Sequence, residues 1–73
     1  MLQKNRIKTA RIQSKLTHKE IAKTLGILER DCYFLEGTSI EPDLAHVVGI
    51  AKLLDISLDY LFGFTDDPNA HKI

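Results

Sequence analysis

The chain has no tryptophan and only one cysteine, Cys32, among its 73 residues. A single thiol excludes an internal disulfide framework, and with no second thiol nearby there is no zinc-ligand spacing either. His18 and His46 each lack a second ligand at usable spacing, so no metal site is expected. Long apolar runs are missing as well, since nothing approaches the roughly twenty residues needed to cross a bilayer. The start, Met1 to Arg11, is basic but lacks the apolar segment of a signal peptide. The expectation is therefore a cytoplasmic protein without membrane contact. Catalytic patterns are equally scarce. Glu20, Glu29, Asp31 and Glu36 are accompanied by no metal-ligand cluster, no nucleophile with its base and no glycine-rich phosphate loop, so neither an enzyme nor a cofactor is expected. At this length the chain forms one compact domain, with no room for a cleft between domains.

What is present is divided by charge. The formal net charge is zero, yet Met1 to Lys23 carries seven Lys or Arg against the single Glu20, a net +6. Thr24 to Ile73 carries three basic and nine acidic residues, a net −6. A basic lobe attracts phosphate or an acidic protein, while an acidic lobe facing the same way repels DNA. The plainer role of Lys4, Lys8, Lys15, Lys19 and Lys23 is to solubilise exposed helix faces.

Apolar spacing predicts five short helices and no strand. Ile7, Ala10 and Ser14 share one face of a first helix over Asn5 to Ser14, which Lys15-Leu16 ends. Thr17-His18-Lys19-Glu20 has the form of a capping box, with the Thr17 hydroxyl and Glu20 carboxylate each accepting from the other's backbone amide. Ile21, Ala22 and Leu25 form the inward side of the second helix, and Gly26 takes the left-handed position that stops it. Ala22, being small, allows the next helix to approach closely. Ile27 points into the core from the turn, followed by Cys32 and Leu35 as anchors of a third helix. Cys32 reads as a small buried hydrophobe rather than a nucleophile. Leu28 occupies the cap position of that helix, where loss of a polar cap costs about 1 kcal/mol, so a packing contact for Leu28 is expected.

Beyond the loop Gly37 to Glu41, Asp43 is the expected cap of a fourth helix with Leu44, Val47, Val48, Ala51 and Leu54 inward. Asp55-Ile56 turns the chain. Ser57 caps a short fifth helix whose Leu58, Leu61 and Phe62 face the core or a partner, and Gly63 ends it. The domain is thus expected over residues 1–64, with 65–73 as a polar, flexible tail.

These residues resemble the lambda repressor and Cro-like (XRE-type) helix-turn-helix domains of phage repressors and small bacterial regulators. The resemblance runs from Ile7 to Gly63. It rests on Leu16-Thr17, Glu20-Ile21-Ala22, Leu25-Gly26-Ile27, Cys32, Leu35-Glu36, Pro42, Leu44, Leu54 and the run Ile56-Ser57-Leu58-Asp59-Tyr60-Leu61-Phe62-Gly63. It implies an all-α, five-helix lambda-repressor-like fold with the helix-turn-helix at helices two and three. It also implies a homodimer on double-stranded DNA, with helix three in the major groove. By position, phosphate contacts fall on His18 and Lys19, and base-facing positions are Glu29, Arg30, Tyr33 and Phe34.

The reading helix departs from the family pattern. Its cap is usually Ser or Thr but here is Leu28, and Glu29, Tyr33 and Phe34 stand where polar or basic residues are usual. Arg30 suits guanine, Glu29 accepts from cytosine N4, and Phe34 suits a thymine methyl, so direct readout is chemically feasible. Glu29, Asp31 and Glu36 add repulsion that the basic first two helices must offset. Thr38 stands where family members have the glycine after helix three, with Gly37 one residue early, which points to a shifted turn. Two functions follow. The first is a sequence-specific transcriptional regulator, a repressor acting as a dimer on a palindromic operator. The alternative is a protein-interaction module, an antirepressor or regulator partner, using Leu28, Tyr33, Phe34, Ile40, Leu61 and Phe64.

Overall fold

A computed structural model describes residues 1–72. The chain folds into five helices, α1 Lys4–Gln13, α2 His18–Leu25, α3 Glu29–Glu36, α4 Leu44–Leu54 and α5 Leu58–Leu61, with no strand among the described residues. The core is built from Ile7 of α1, Ile21 and Ala22 of α2, Cys32 and Leu35 of α3, Val47, Ile50, Ala51 and Leu54 of α4, and Leu61 of α5. Leu16, Leu25, Ile27, Leu58 and Phe62 close over its edges, as their spacing predicts.

The helices are short, so how they end decides how they pack. Four of them finish in the same way, with a left-handed residue whose own amide and the one after it turn back onto the carbonyls of the last turns. Gly26 (φ 69°) and Gly63 (φ 79°) suit this conformation. Lys15 (φ 59°) and Asp55 (φ 55°) adopt it without glycine. After Lys15, the Leu16 amide donates to Arg11 O at 3.2 Å, and after Asp55 the Ile56 amide donates to Ala51 O at 3.0 Å. A left-handed non-glycine residue costs about 1–2 kcal/mol, which the apolar burial of Leu16 and Ile56 just beyond each turn offsets.

Three expected inward positions differ. Ser14 is exposed, and its place on the inner side of α1 is taken by Arg11. Leu44 is 63% exposed and Val48 only partly buried while Ile50 is buried, so the inner stripe of α4 is Val47, Ile50, Ala51 and Leu54. Nearly every face of Leu-Ala-His-Val-Val-Gly-Ile-Ala-Lys-Leu-Leu is apolar, and only packing against the other helices selects one. Asp43 stands at the start of α4, but its side chain makes no capping hydrogen bond. By contrast, the fully buried Ser57 accepts from the Tyr60 amide at 3.2 Å.

The polar segment after Phe64 lies back along the domain. Arg6 Nη1 donates to Tyr60 O at 2.7 Å and Thr65 O at 2.8 Å, and Arg6 Nη2 pairs with Asp66 at 2.8 Å. Its guanidinium carbon is 4.2 Å from the centre of the Tyr60 ring. Further along, the Ser57 amide donates to Pro68 O at 2.7 Å and Lys72 pairs with Asp55 at 3.1 Å.

Candidate nucleic-acid interface

The site grows from the capping box at the start of α2. Thr17 Oγ1 accepts from the Glu20 amide and Glu20 Oε1 accepts from the Thr17 amide, both at 3.1 Å, which fixes where His18 and Lys19 begin the helix. Eight residues later the left-handed Gly26 redirects the chain, and the Ile27 amide donates back to Ala22 O at 3.0 Å. The 6% exposed Ala22 leaves room for α3 to pack closely on α2. The result is a helix-turn-helix in which the first turn of α2 lies beside the middle of α3.

That proximity is direct. The rings of His18 and Tyr33 stack with centroids 4.2 Å apart and planes 27° apart. The Cys32 thiol donates to His18 O at 3.5 Å. Burial pushes the Cys32 thiol above its ordinary pKa, and the carboxylates of Glu36, Asp31 and Glu29 push in the same direction against Arg11. It remains a thiol, as a buried core residue should.

Of the expected DNA-facing residues, Lys19, Glu29, Arg30 and Tyr33 are exposed, whereas His18 and Phe34 are partly buried. Arg30 has no ion pair among the described residues. Among the apolar candidates, Leu28, Tyr33, Ile40 and Phe64 are exposed, whereas Leu61 is wholly buried in the core and presents no surface. The packing contact expected for Leu28 is not made, since that side chain is 57% exposed. Its backbone amide is instead satisfied from within α3 by Asp31 Oδ2 at 3.3 Å, half of a capping box in which leucine cannot supply the other half.

Two residues change role. Glu36 is not a free acid repelling phosphate: its side chain is only 7% exposed, and Oε2 lies 2.8 Å from Arg11 Nε and 3.1 Å from His18 Nε2. Arg11 correspondingly leaves the basic surface. Lys4 is also occupied, donating to the carbonyls of Thr38 and Ile40, and Arg6 holds the C-terminal segment. Lys8, Lys15, Lys19 and Lys23 remain as exposed cations of the basic lobe. Arg11 and Glu36 are 25 positions apart, so no local pattern joins them, although Arg11 follows Ile7 by one helical turn and thus stands on the inner face. Lys8, His18, Tyr33, Glu36, Gly37 and Thr38 line an open groove of about 240 Å³ at the end of α3. No group of three or more His, Cys, Asp or Glu gathers as a metal site among the described residues. None of their helices is long and apolar enough to cross a membrane.

A compact all-α domain whose second and third helices pack tightly around a glycine turn is the architecture of a helix-turn-helix protein. Known proteins agree. The chain is 38% identical over 64 residues to the uncharacterized HTH-type transcriptional regulator YobD of Bacillus subtilis, covering 88% of this chain and 57% of that protein. It is 42% identical over 55 residues to the uncharacterized HTH-type transcriptional regulator YqaE of the same organism, covering 75% and 47%. It is 30% identical over 64 residues to the uncharacterized HTH-type transcriptional regulator MJ0272 of Methanocaldococcus jannaschii, covering 88% and 97%. The chain belongs to the HTH-type transcriptional regulators. It spans about half the length of the two Bacillus relatives. No family model matches it, and no solved structure does. All three relatives are named as regulators and none as an enzyme.

Proposed function

We propose that this chain is the DNA-binding unit of a lambda repressor/Cro-like regulator, acting as a homodimeric repressor on a palindromic operator. The observation that carries the reading is the joint exposure of Lys19 on the first turn of α2 and Arg30 on α3, held together by the turn at Gly26. In this reading α3 lies in the major groove, Arg30 grips guanine with Glu29, Tyr33 and Phe34 beside it, and His18 and Lys19 meet phosphate. Withdrawal of Glu36 from the surface removes one source of repulsion. Phe64, 79% exposed just beyond α5, is the apolar residue offered to the second subunit.

The test is selection of a duplex from a randomised pool, followed by anisotropy titration across salt. Binding should weaken steeply with salt. Arg30→Ala should lose about 5- to 150-fold on the selected duplex, while Lys19→Ala should weaken all duplexes alike and flatten the salt slope by about one. No enrichment together with salt-insensitive binding sinks the reading.

A second reading is favoured by one observation, the exposure of Leu28 at a cap position that polar residues normally hold. With Tyr33 and Ile40 also exposed, α3 would then serve a regulator partner or antirepressor complex instead of DNA. Replacement of Tyr33 and Phe34 by Ala distinguishes the two, because loss of DNA binding alone removes this alternative.

A further inference from the structure

We infer that Glu36 is a positioning residue of the reading surface, acting on the exposed Tyr33 ring through His18. The inference rests on the DNA-binding reading above for its purpose, but its geometry stands apart from DNA. Glu36 lies in the last turn of α3 with its side chain almost wholly buried. One oxygen, Oε2, meets nitrogens from two other helices, Arg11 Nε of α1 at 2.8 Å and His18 Nε2 of α2 at 3.1 Å. Arg11 is fixed in turn by donating from Nη1 to Leu16 O at 2.9 Å, so the carboxylate cannot swing without breaking a buried pair. The His18 backbone is held from below by the Cys32 thiol.

His18 therefore has a fixed backbone and a ring anchored at one edge, and Tyr33 stacks on that ring. Tyr33 is 49% exposed. An exposed tyrosine on a helix ordinarily exchanges among rotamers, and the stack selects one. The chain of contacts runs Arg11, Glu36, His18, Tyr33, from a buried ion pair to a ring on the surface offered to DNA. It also locks the first residue of α2 to the middle of α3 by side chains, in addition to the backbone turn at Gly26. A free surface tyrosine would have to lose its rotamer freedom on binding, whereas a seated one has already lost it.

The experiment reads the Tyr33 ring protons by NMR without DNA, and the affinity for the selected duplex by anisotropy, both on the full chain. In the unaltered protein the Tyr33 ring signals are expected upfield, shielded by His18. H18Q should abolish that shift and weaken binding about 2- to 10-fold, the range of a stacked pair. H18F keeps a ring but makes no contact with phosphate, and should restore the shift. E36Q should move the Tyr33 signals although Glu36 lies behind His18, and in the H18F background the same change should leave them in place. Should E36Q fail to fold, R11M/E36M takes its place, because removing both buried charges together spares the fold while still releasing His18, and it should move the Tyr33 signals likewise. Unchanged Tyr33 signals in folded E36Q, R11M/E36M or H18Q overturn the proposal, as does an H18F that fails to restore the Tyr33 shift. If the unaltered protein binds no duplex at all, the DNA reading fails, and the Tyr33 shifts alone still decide whether Glu36 positions the ring.

Discussion

Arg11 and Glu36, from helices separated by the whole of α2, meet at 2.8 Å with side chains only 14% and 7% exposed. The pair ties α1 to the end of α3 beneath the candidate interface. Removing one member of a buried ion pair strands the other charge and typically costs about 3–5 kcal/mol, whereas replacing both with apolar residues is often neutral. R11M and E36Q are each expected to lower the melting temperature by 10 °C or more, at about 4–8 °C per kcal/mol for a domain of this size. The double variant R11M/E36M should recover most of the loss. Calorimetry checks this, and single variants that melt like the unaltered protein would show that the pair is not an anchor.

Two glycines respond in opposite directions to alanine. At Gly26, with φ 69°, a Cβ meets nothing within 4 Å, so the cost is purely that of the left-handed backbone. G26A should destabilise by about 1–2 kcal/mol. At Gly49, inside α4, a Cβ would sit 3.5 and 3.6 Å from the two Leu25 Cδ atoms, an ordinary contact. G49A should stabilise by up to about 1 kcal/mol through helix propensity. Denaturant unfolding of both variants, with unchanged slopes, measures the two signs; a destabilising G49A would mean that Leu25 has no freedom to accept the methyl group.

Cys32 gives the domain a pH dependence on the alkaline side. In the unfolded chain a thiol ionises near about pH 8.5, but in the fold burial and the nearby carboxylates raise its pKa. The stability tied to the protonated thiol is thus fully present below the unfolded pKa and falls as pH rises towards the folded one. Unfolding measured at about pH 7 and about pH 10 should show a larger loss for the unaltered protein than for C32A, which lacks the thiol. Alkylation of Cys32 should also be far slower in the native protein than in denaturant. Equal losses in the two proteins would contradict the assignment.

Local chemistry was well written in the chain. The capping box at Thr17 and Glu20, the stop at Gly26, the cap at Ser57 and the burial of Ile21, Ala22, Cys32 and Leu35 all follow from residue types at short spacing, and the structure has each of them. The inner stripe of α4 is not legible in the sequence because an apolar helix carries no periodic signal to mark one face. Asp43 stands at the expected cap position, but a cap position does not guarantee a capping rotamer. Lys15 and Asp55 mark turns in the sequence, but their left-handed backbone was hidden, since neither residue type announces it as glycine does.

Charge was the least legible feature. Counting side chains gives a strongly basic N-terminal third, yet Lys4, Arg6 and Arg11 are engaged with the domain itself. Glu36 reads as a surface acid for the same reason, because a count cannot tell which charges find partners. The sequence by itself determined the helices, the caps at Thr17 and Ser57 and the glycine turn, since these depend on contacts within four or five residues. The tertiary structure alone decided which charges stay free, which apolar residues of α3 stay exposed, and how His18 seats Tyr33. Those outcomes need residues from α1, α2 and α3 to meet in space, and no short-range pattern encodes that meeting.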